Sequence, residues 1–532
     1  MSTRSLTALG AALLLAQAAG CGTANEPQPT RRPSILFLSI DTLSAGRMSL
    51  YGYDRPTTPE LERLAAEAFV FEDCSSNAPW TTPSYASQLT GLQAESFFTS
   101  PASGHVDQDW VLPLGADSLA EVLGTAGYRT AAFIDNLHLG RDRGFAQGFE
   151  VFDESAARLG VDARAGGLRA SSRAGLDWLD GLEGDAPWFL FVQAADTHGP
   201  YLASGSPEGL FPPRPTPDPD LELPLSLGNL NGFDVVMEYI ARPVFGEEAD
   251  RARVADLVDA YDEGVRRLDS DLAAFFTALE ERGLRDEVVV VLSADHGESL
   301  GRHGSWFDHA LLNREVLHVP LVVWLPGERQ GRRVPGSVQL VDLVPTLLDL
   351  ADVPAPGPLH GRSLVDAMAG EPLEPRPVLA VGSFERARSI TVDGWKLVET
   401  SPSVATSSLT GLFTSPRGRA WIAEQAPHLE GKAFGTPELS VQDLAGLDLD
   451  ALIAEAEAAL AGPWYQLYHV AADPGEVQDL APAHPDRVAE LRELLERECA
   501  RAQADHVPPD FDLEVSAEDQ ALLDALGYTG GD

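Results

Sequence analysis

The sequence predicts an α/β fold, a mostly parallel central sheet flanked by helices, with a smaller carboxy-terminal α+β domain. Three observations predict it. Ser34-Ile35-Leu36-Phe37-Leu38-Ser39-Ile40 is a short apolar run closed by Asp41, the pattern of a strand covered on both faces. Strand-like and helix-like stretches then alternate, as crossover connections between parallel strands require. Polar residues gather where predicted strands end, and such folds keep their sites at the carboxyl ends of strands.

Along the chain, Glu60 to Ala68 is amphipathic with Leu61 and Leu64 on one face, and Ser118 to Ala126 reads as a helix ending at Gly127. Arg129 to Ile134 and Trp188 to Ala194 read as strands, with a helix from Ala170 to Leu182 between them. A long helix from Arg251 to Glu281 precedes a strand from Glu287 to Leu292. Between Tyr201 and Glu238, Pro212, Pro213, Pro215, Pro217, Pro219 and Pro224 mark an irregular insertion, either a rim over the site or a surface loop without a role. The character changes after about Gly370: a Ser/Thr-rich stretch from Thr400 to Ser415, a helix from Leu447 to Leu460 and a strand from Tyr465 to Val470 follow. Residues 34–370 are therefore expected to form the larger domain and 371–532 the smaller one.

The 532 residues carry 38 Lys+Arg against 81 Asp+Glu, a formal charge of −43. With 44% hydrophobic and 22% charged residues, the balance is that of a soluble globular protein. The acid excess excludes attachment to nucleic acid or anionic lipid through bulk charge. The 3 cysteines cannot build a disulfide scaffold. Arg4 followed by the uncharged run Ser5 to Gly20 is too short to span a bilayer and reads as a secretory signal over residues 1–20. Ala18-Ala19-Gly20 before Cys21 resembles a bacterial lipobox, which implies a lipidated Cys21; the alternative is an ordinary signal peptide with a chance cysteine. Either predicts export, to the periplasm or to an anchored place at the outer membrane or cell surface. Residues 21–33, with Pro27, Pro29 and Pro33, read as a tether. Cys74 and Cys499 remain, free to pair in an oxidising compartment or to stay apart.

Chemistry concentrates in Asp41-Thr42, Trp80-Thr81-Thr82-Pro83-Ser84, Asp196-Thr197-His198 and Asp295-His296-Gly297-Glu298, each read as following a strand. An Asp after a strand is often only a helix cap or a turn residue. Together, however, these segments bring carboxylates, imidazoles and a hydroxyl to one sheet edge. Carboxylate plus imidazole ligation suits a divalent metal such as Zn²⁺ or Mn²⁺, and a hydroxyl beside such an ion becomes a nucleophile near neutral pH.

The sequence resembles the sulfatase family of the alkaline phosphatase superfamily over nearly the whole mature chain. Ile35 to Leu43, Tyr51-Gly52-Tyr53 and Thr58 to Ala65 are similar to the family's opening, and Ala78 to Gly91 resembles the segment holding its nucleophile. Asp196-Thr197-His198-Gly199-Pro200-Tyr201 resembles its substrate-binding histidine segment. Ser293 to Glu298, with Leu300-Gly301 and His303-Gly304, is similar to its distal metal segment. Leu467-Tyr468, Asp473-Pro474-Gly475-Glu476 and Asp479-Leu480-Ala481 resemble the usual close of the second domain. The resemblance implies an alkaline phosphatase-like fold with one divalent ion (Ca, Mn or Zn, the Asp/His set favouring Mn or Zn) on Asp41, Thr81, Asp295 and His296. It further implies Thr81 as nucleophile, and His198 and His309 against the substrate's anionic group, His309 standing where many relatives have lysine. His138 falls on a second substrate histidine and is a candidate general acid. Asp196 with His198 and His309 could complete a second metal site, or Asp196 could be structural.

Departures from the family pattern redirect the chemistry. Sulfatases convert a Cys or Ser at the Thr81 position into formylglycine, a route closed to threonine, whereas phosphoryl enzymes of the superfamily use Ser or Thr directly. Thr42 stands where many sulfatases have another metal-binding Asp, Tyr85 where they have an arginine and Asn136 where they have a lysine. The expectation is an exported metal-dependent hydrolase of sulfate or phosphate esters on a small molecule, glycan or lipid. The alternatives are a silent member that binds sulfated or phosphorylated ligands, and transfer of a phosphoryl-linked headgroup to another acceptor.

Overall fold

The computed structural model describes residues 32–97, 111–159, 167–201, 211, 254–300, 303, 306–309, 311–382, 387–400, 421–422, 424–429 and 463–508. The signal peptide, Cys21, nearly all of the tether and of the proline-rich insertion, the Ser/Thr-rich stretch and the helix expected at Leu447–Leu460 lie outside the described residues. No described helix is long and apolar enough to cross a membrane.

The strands are β1 (Ser34–Ile40), β2 (Phe69–Ser75), β3 (Arg129–Phe133), β4 (Val151–Asp153), β5 (Trp188–Ala194), β6 (Val288–Ala294), a two-stranded hairpin of β7 (Ser299–Leu300) and β8 (Trp306–Asp308), then β9 (His318–Val319), β10 (Leu321–Trp324) and β11 (Arg332–Gln339). The main sheet runs β11-β2-β10-β6-β1-β5-β3-β4, with β9 paired to β2. Its central pairs β6-β1, β1-β5 and β5-β3 are parallel, whereas β10 is antiparallel to both neighbours. Every residue of β5 and β6 is buried, which is why these strands read as unbroken apolar runs rather than alternating ones.

The helices are α1 (Pro59–Leu64), α2 (Thr81–Thr90), α3 (Leu119–Thr125), α4 (Gly167–Asp180), α5 (Val254–Glu281), α6 (Arg314–Leu317), α7 (Leu343–Leu350), α8 (Val365–Met368) and α9 (Pro485–Ala504). α3 starts where its sequence says: Ser118 Oγ accepts from Glu121 N at 3.1 Å while Ser118 N donates to Glu121 Oε2 at 2.9 Å, a reciprocal cap. α5 buries Tyr261, Val265, Leu268, Leu272, Phe276 and Leu279 at helical spacing, and Phe276 packs on Trp324 with ring centroids 4.8 Å apart. Under the sheet's centre, Phe191 touches Phe37 at 5.3 Å and Tyr85 at 6.0 Å. Phe191→Ala is expected to cost about 3–5 kcal/mol in urea unfolding at fixed metal content, because the void is walled by rigid strands.

The strands foreseen at Ser34–Ile40 and Trp188–Ala194 stand at those bounds; β2, β4, β10 and β11 were not foreseen. β2 turns charged at Glu72 and Asp73, and β11 contains Pro335 next to an irregularity between Val334 and Ser337. Both features weaken a strand pattern; β11, with its proline, lies at the edge of the sheet, whereas β2 is held between β11 and β10.

The second sheet orders β12 (Val378–Val381), β13 (Arg388–Val392), β14 (Trp395–Thr400) and β15 (Trp464–His469) in sequence, all antiparallel. α9 lays Leu491, Leu495 and Cys499 against Leu379, Ile390, Leu397 and Leu467. Cys74 and Cys499 are both free, because one is buried in the core of the main sheet and the other lies on α9, against the second sheet.

Candidate active site

Parallel pairing of β1 with both β5 and β6 sets the site. Ile40 lies beside Ala194 on one side and Ala294 on the other, so Asp41, Ala195 and Asp295 leave the sheet abreast at its carboxyl edge. One ligand-type atom from each of Asp41, Asp295 and His296 lies within 4.8 Å of the others, and all three residues are buried. His296 Nε2 is 3.3 Å from Asp295 Oδ2 and 3.9 Å from Asp41 Oδ1.

The rest of each side chain is committed elsewhere. Asp41 Oδ2 accepts from Asn136 Nδ2 at 2.6 Å, and Asp295 Oδ1 accepts from the backbone N–H groups of Thr42 at 3.1 Å and His296 at 2.8 Å. His296 Nδ1 lies 2.9 Å from Gly297 O; since a carbonyl only accepts, Nδ1 carries the proton and the Nε2 lone pair faces the carboxylates. Asp41 Oδ1 and Asp295 Oδ2 are left buried without a hydrogen bond. Burial first, then the Asp295 charge, pushes Asp41 up to about 6, and burial pushes Asp295 up to about 7. Two orphaned carboxylate oxygens converging with an imidazole nitrogen are what a divalent cation relieves, and the donor set fits Mn²⁺ or Zn²⁺.

Thr42 holds a left-handed turn, φ 56°. Its carbonyl accepts from Tyr261 OH at 2.6 Å, the same hydroxyl accepts from Ser44 N at 3.0 Å, and Thr197 Oγ1 donates to Asp41 O at 2.5 Å. The turn after β1 is thus pinned from α5 and from the loop after β5.

Thr81 does not end a strand as expected. β2 closes at Ser75, and Thr81 opens α2, every residue of which is buried. Its hydroxyl is buried and makes no hydrogen bond. One turn on, Ser84 Oγ donates to Asp295 O at 2.7 Å and fixes the start of α2 against the exit of β6. Trp80, just before Thr81, stands 5.8 Å from the His138 ring and 4.5 Å from His309, which in turn lies 4.4 Å from His296 and 6.1 Å from His198. The four histidines and Trp80 form one wall beside the carboxylates.

Burial, reinforced for His138 by the Arg143 charge and for His309 by neighbouring histidines, holds both imidazoles well below the usual histidine range. Burial and the Arg143 charge therefore disfavour the protonated form of His138. Asp196 Oδ2 accepts from Leu168 N at 2.7 Å, serving the start of α4, and among the described residues the only metal-type group is Asp41–Asp295–His296. Asp196 is thus bonded to the start of α4 and, among the described residues, is not part of that group.

The structure gives Asn136 a role, and Tyr85 a setting, that the sequence did not reveal. Asn136, read there as a lost lysine charge, holds Asp41 and also accepts from His138 N at 2.8 Å. Asn136→Ala should weaken Mn²⁺ binding about tenfold in titration calorimetry, the usual cost of losing a group that orients a ligand. Tyr85, read as a lost arginine, is fully buried, with its hydroxyl pushed well above the usual range by burial and then by the charges of Asp295 and Asp41. The sequence holds no signal for Tyr85 beyond its spacing from Thr81.

The sulfatase family model matches residues 33–353, and a model described as N-sulphoglucosamine sulphohydrolase, C-terminal, matches residues 301–410. An N-acetylgalactosamine-6-sulfatase of Canis lupus familiaris is 28% identical over 398 residues, 69% of this chain and 71% of that protein. An N-acetylglucosamine-6-O-sulfatase of Bacteroides thetaiotaomicron is 23% identical over 416 residues, 65% of this chain and 72% of its own. Among solved structures, the phosphonate monoester hydrolase of Agrobacterium radiobacter superposes with a TM-score of 0.60 at 18% identity, covering 90% of this chain and 96% of that one.

Proposed function

The chain belongs to the sulfatase family, and from that premise we propose that it is an exported, metal-dependent hydrolase that uses Thr81 directly as nucleophile on sulfate or phosphate-type esters. Phosphodiesters and phosphonate monoesters are favoured over sulfates. The carrying observation is the Thr81 hydroxyl, buried and without a hydrogen bond, on the helix that Ser84 fastens to Asp295.

Asp41, Asp295 and His296 would hold the divalent ion, with Thr81 beside it; when bound, the ion favours the deprotonated alcohol and offsets charge on the transferred group. Thr81 Oγ1 forms the new bond to the central atom as the bond to the leaving oxygen breaks. His138 offers an N–H to that oxygen, and His198 and His309 face the nonbridging oxygens. The threonine ester is then cleaved by water at the central atom, which suits phosphorus, because the elimination route of a formylglycine hydrate is not open to threonine. Asn136 and Tyr85 bring no positive charge, which favours transferred groups with a single negative charge over phosphate monoester dianions.

Relatives named for sulfated sugars support a glycan or other small-molecule ester as substrate, and the phosphonate monoester hydrolase shares the fold. The signal-like residues 1–20 and Cys21 support export with a lipid anchor. Nothing in the site favours a silent ligand-binding protein, since the ligand-type atoms and the hydroxyl are all retained. The test compares rates on aryl phosphodiester, phosphonate monoester, phosphate monoester and sulfate monoester at known metal content. Expected rates are highest for the first two; sulfate turnover at least tenfold above them would reverse the phosphorus preference, and no turnover of any would refute the proposal.

A further inference from the structure

Glu476 lies in a turn of the carboxy-terminal region, 1% exposed and at φ 53°, yet both of its carboxylate oxygens serve other parts of the molecule. Oε1 meets Lys396 Nζ of β14 at 2.8 Å. Oε2 accepts from Asn313 Nδ2 at 2.8 Å and from Arg314 N at 3.0 Å, the start of α6 and a few residues beyond His309. The backbone of α6 is in turn bonded to three segments around the site. Gly297 N donates to Val316 O at 2.6 Å, Ser44 Oγ to Glu315 O at 3.0 Å, and Ser76 N to Leu317 O at 2.8 Å. The packing at Gly297 leaves no room for adjustment, because a Cβ there would stand 2.5 Å from Glu315 O.

We propose that the buried Lys396–Glu476 pair is a positioning device for the candidate metal centre. It fixes α6, and α6 holds Gly297, with the adjoining His296, and the strand-to-helix turn at Ser76 that leads to Thr81. The proposal rests on reading Asp41, Asp295 and His296 as a metal site. A buried ion pair contributes little net stability compared with well-packed apolar residues of the same volume. What it supplies here is two directed acceptors at one turn, charge-balanced by Lys396. The carboxy-terminal sheet thereby becomes part of the site's support, although none of its residues needs to touch a substrate.

The test uses the full chain with Glu476→Gln and Lys396→Met, followed by hydrogen exchange at Gly297, Ser76 and Arg314 and by Mn²⁺ titration. Exchange at Gly297 and Ser76 is expected to quicken at least tenfold and Mn²⁺ affinity to fall about tenfold, while amides of α9 and β15 keep their protection. Unchanged exchange at Gly297 and Ser76, even with a lowered Tm, would overturn the proposal and leave the pair a local stabiliser. If the parent chain binds no Mn²⁺ but those amides still quicken in the variants, the positioning role stands and the metal reading fails. Should either charge variant not fold, Asn313→Ala cuts one of the same bonds with the ion pair intact. It should then quicken the same amides by a smaller factor, and no change there would overturn the proposal.

Discussion

Thr81→Ala is expected to lower turnover of the preferred ester by at least about 10⁴-fold, the scale set by removing a nucleophile from an otherwise intact site. No neighbour can stand in for it: Ser84 Oγ is committed to Asp295 O, and Thr82 Oγ1 points at His138 O, 3.5 Å away. Mn²⁺ binding should survive, because Asp41, Asp295 and His296 keep their places, and so the loss belongs to the alcohol and not to the centre. Thr81→Ser keeps a hydroxyl on the same buried turn and should retain activity within about tenfold of the parent, the missing methyl costing on the order of 1 kcal/mol in packing. If Thr81→Ala turned over substrate at the parental rate with its metal content unchanged, attack would have to come from water and the threonine would be bystander.

Without metal, the protein should lose stability as pH rises from about 4 to about 7. Among the described residues, four carboxylates are pushed to about 6 or 7: Asp41 and Asp135 to about 6, Asp196 and Asp295 to about 7, with burial the first cause in each. In that window the folded chain holds more protons than the unfolded chain, so the stabilisation present below about pH 4 is lost as pH climbs. Saturating Mn²⁺ should flatten the part due to Asp41 and Asp295 and leave that of Asp135 and Asp196. Asp295→Asn sharpens the test, since it removes one of two facing charges and offers Asp41 Oδ1 a donor. At pH 7 and without metal the variant should be more stable than the parent by on the order of 1–3 kcal/mol. With Mn²⁺ the order should invert, because only the parent gains from the ion. Thermal unfolding at several pH values, with and without Mn²⁺, reads both effects; a parent whose Tm is flat from pH 4 to 7 without metal would contradict the burial argument.

The central strands were legible because double-sided burial leaves a plain apolar run, as in β5, and the metal-type residues because each sits one or two positions past such a run. β2 and β11 were not, since Glu72, Asp73 and Pro335 lie in strands that their own composition disfavours. Asn136 could not be assigned from the sequence because its use depends on Asp41, 95 residues away in the chain. His138 shows the opposite limit: its position was legible but not its protonation, which is set by burial and by Arg143. The grip of Glu476 on α6 is likewise invisible in sequence, being a contact across 163 residues.

The side-by-side alignment of Ile40, Ala194 and Ala294 has a consequence for which genetic changes the centre can absorb. Deleting or inserting one codon within β1 or β6 would slide its terminal aspartate by about 3.3 Å and turn it to the opposite face of the sheet. Swapping one aliphatic residue for another in the same strands leaves both aspartates where they are. The residue count of these strands is therefore held far more tightly than their residue types, and frame-preserving indels should be confined to the connections.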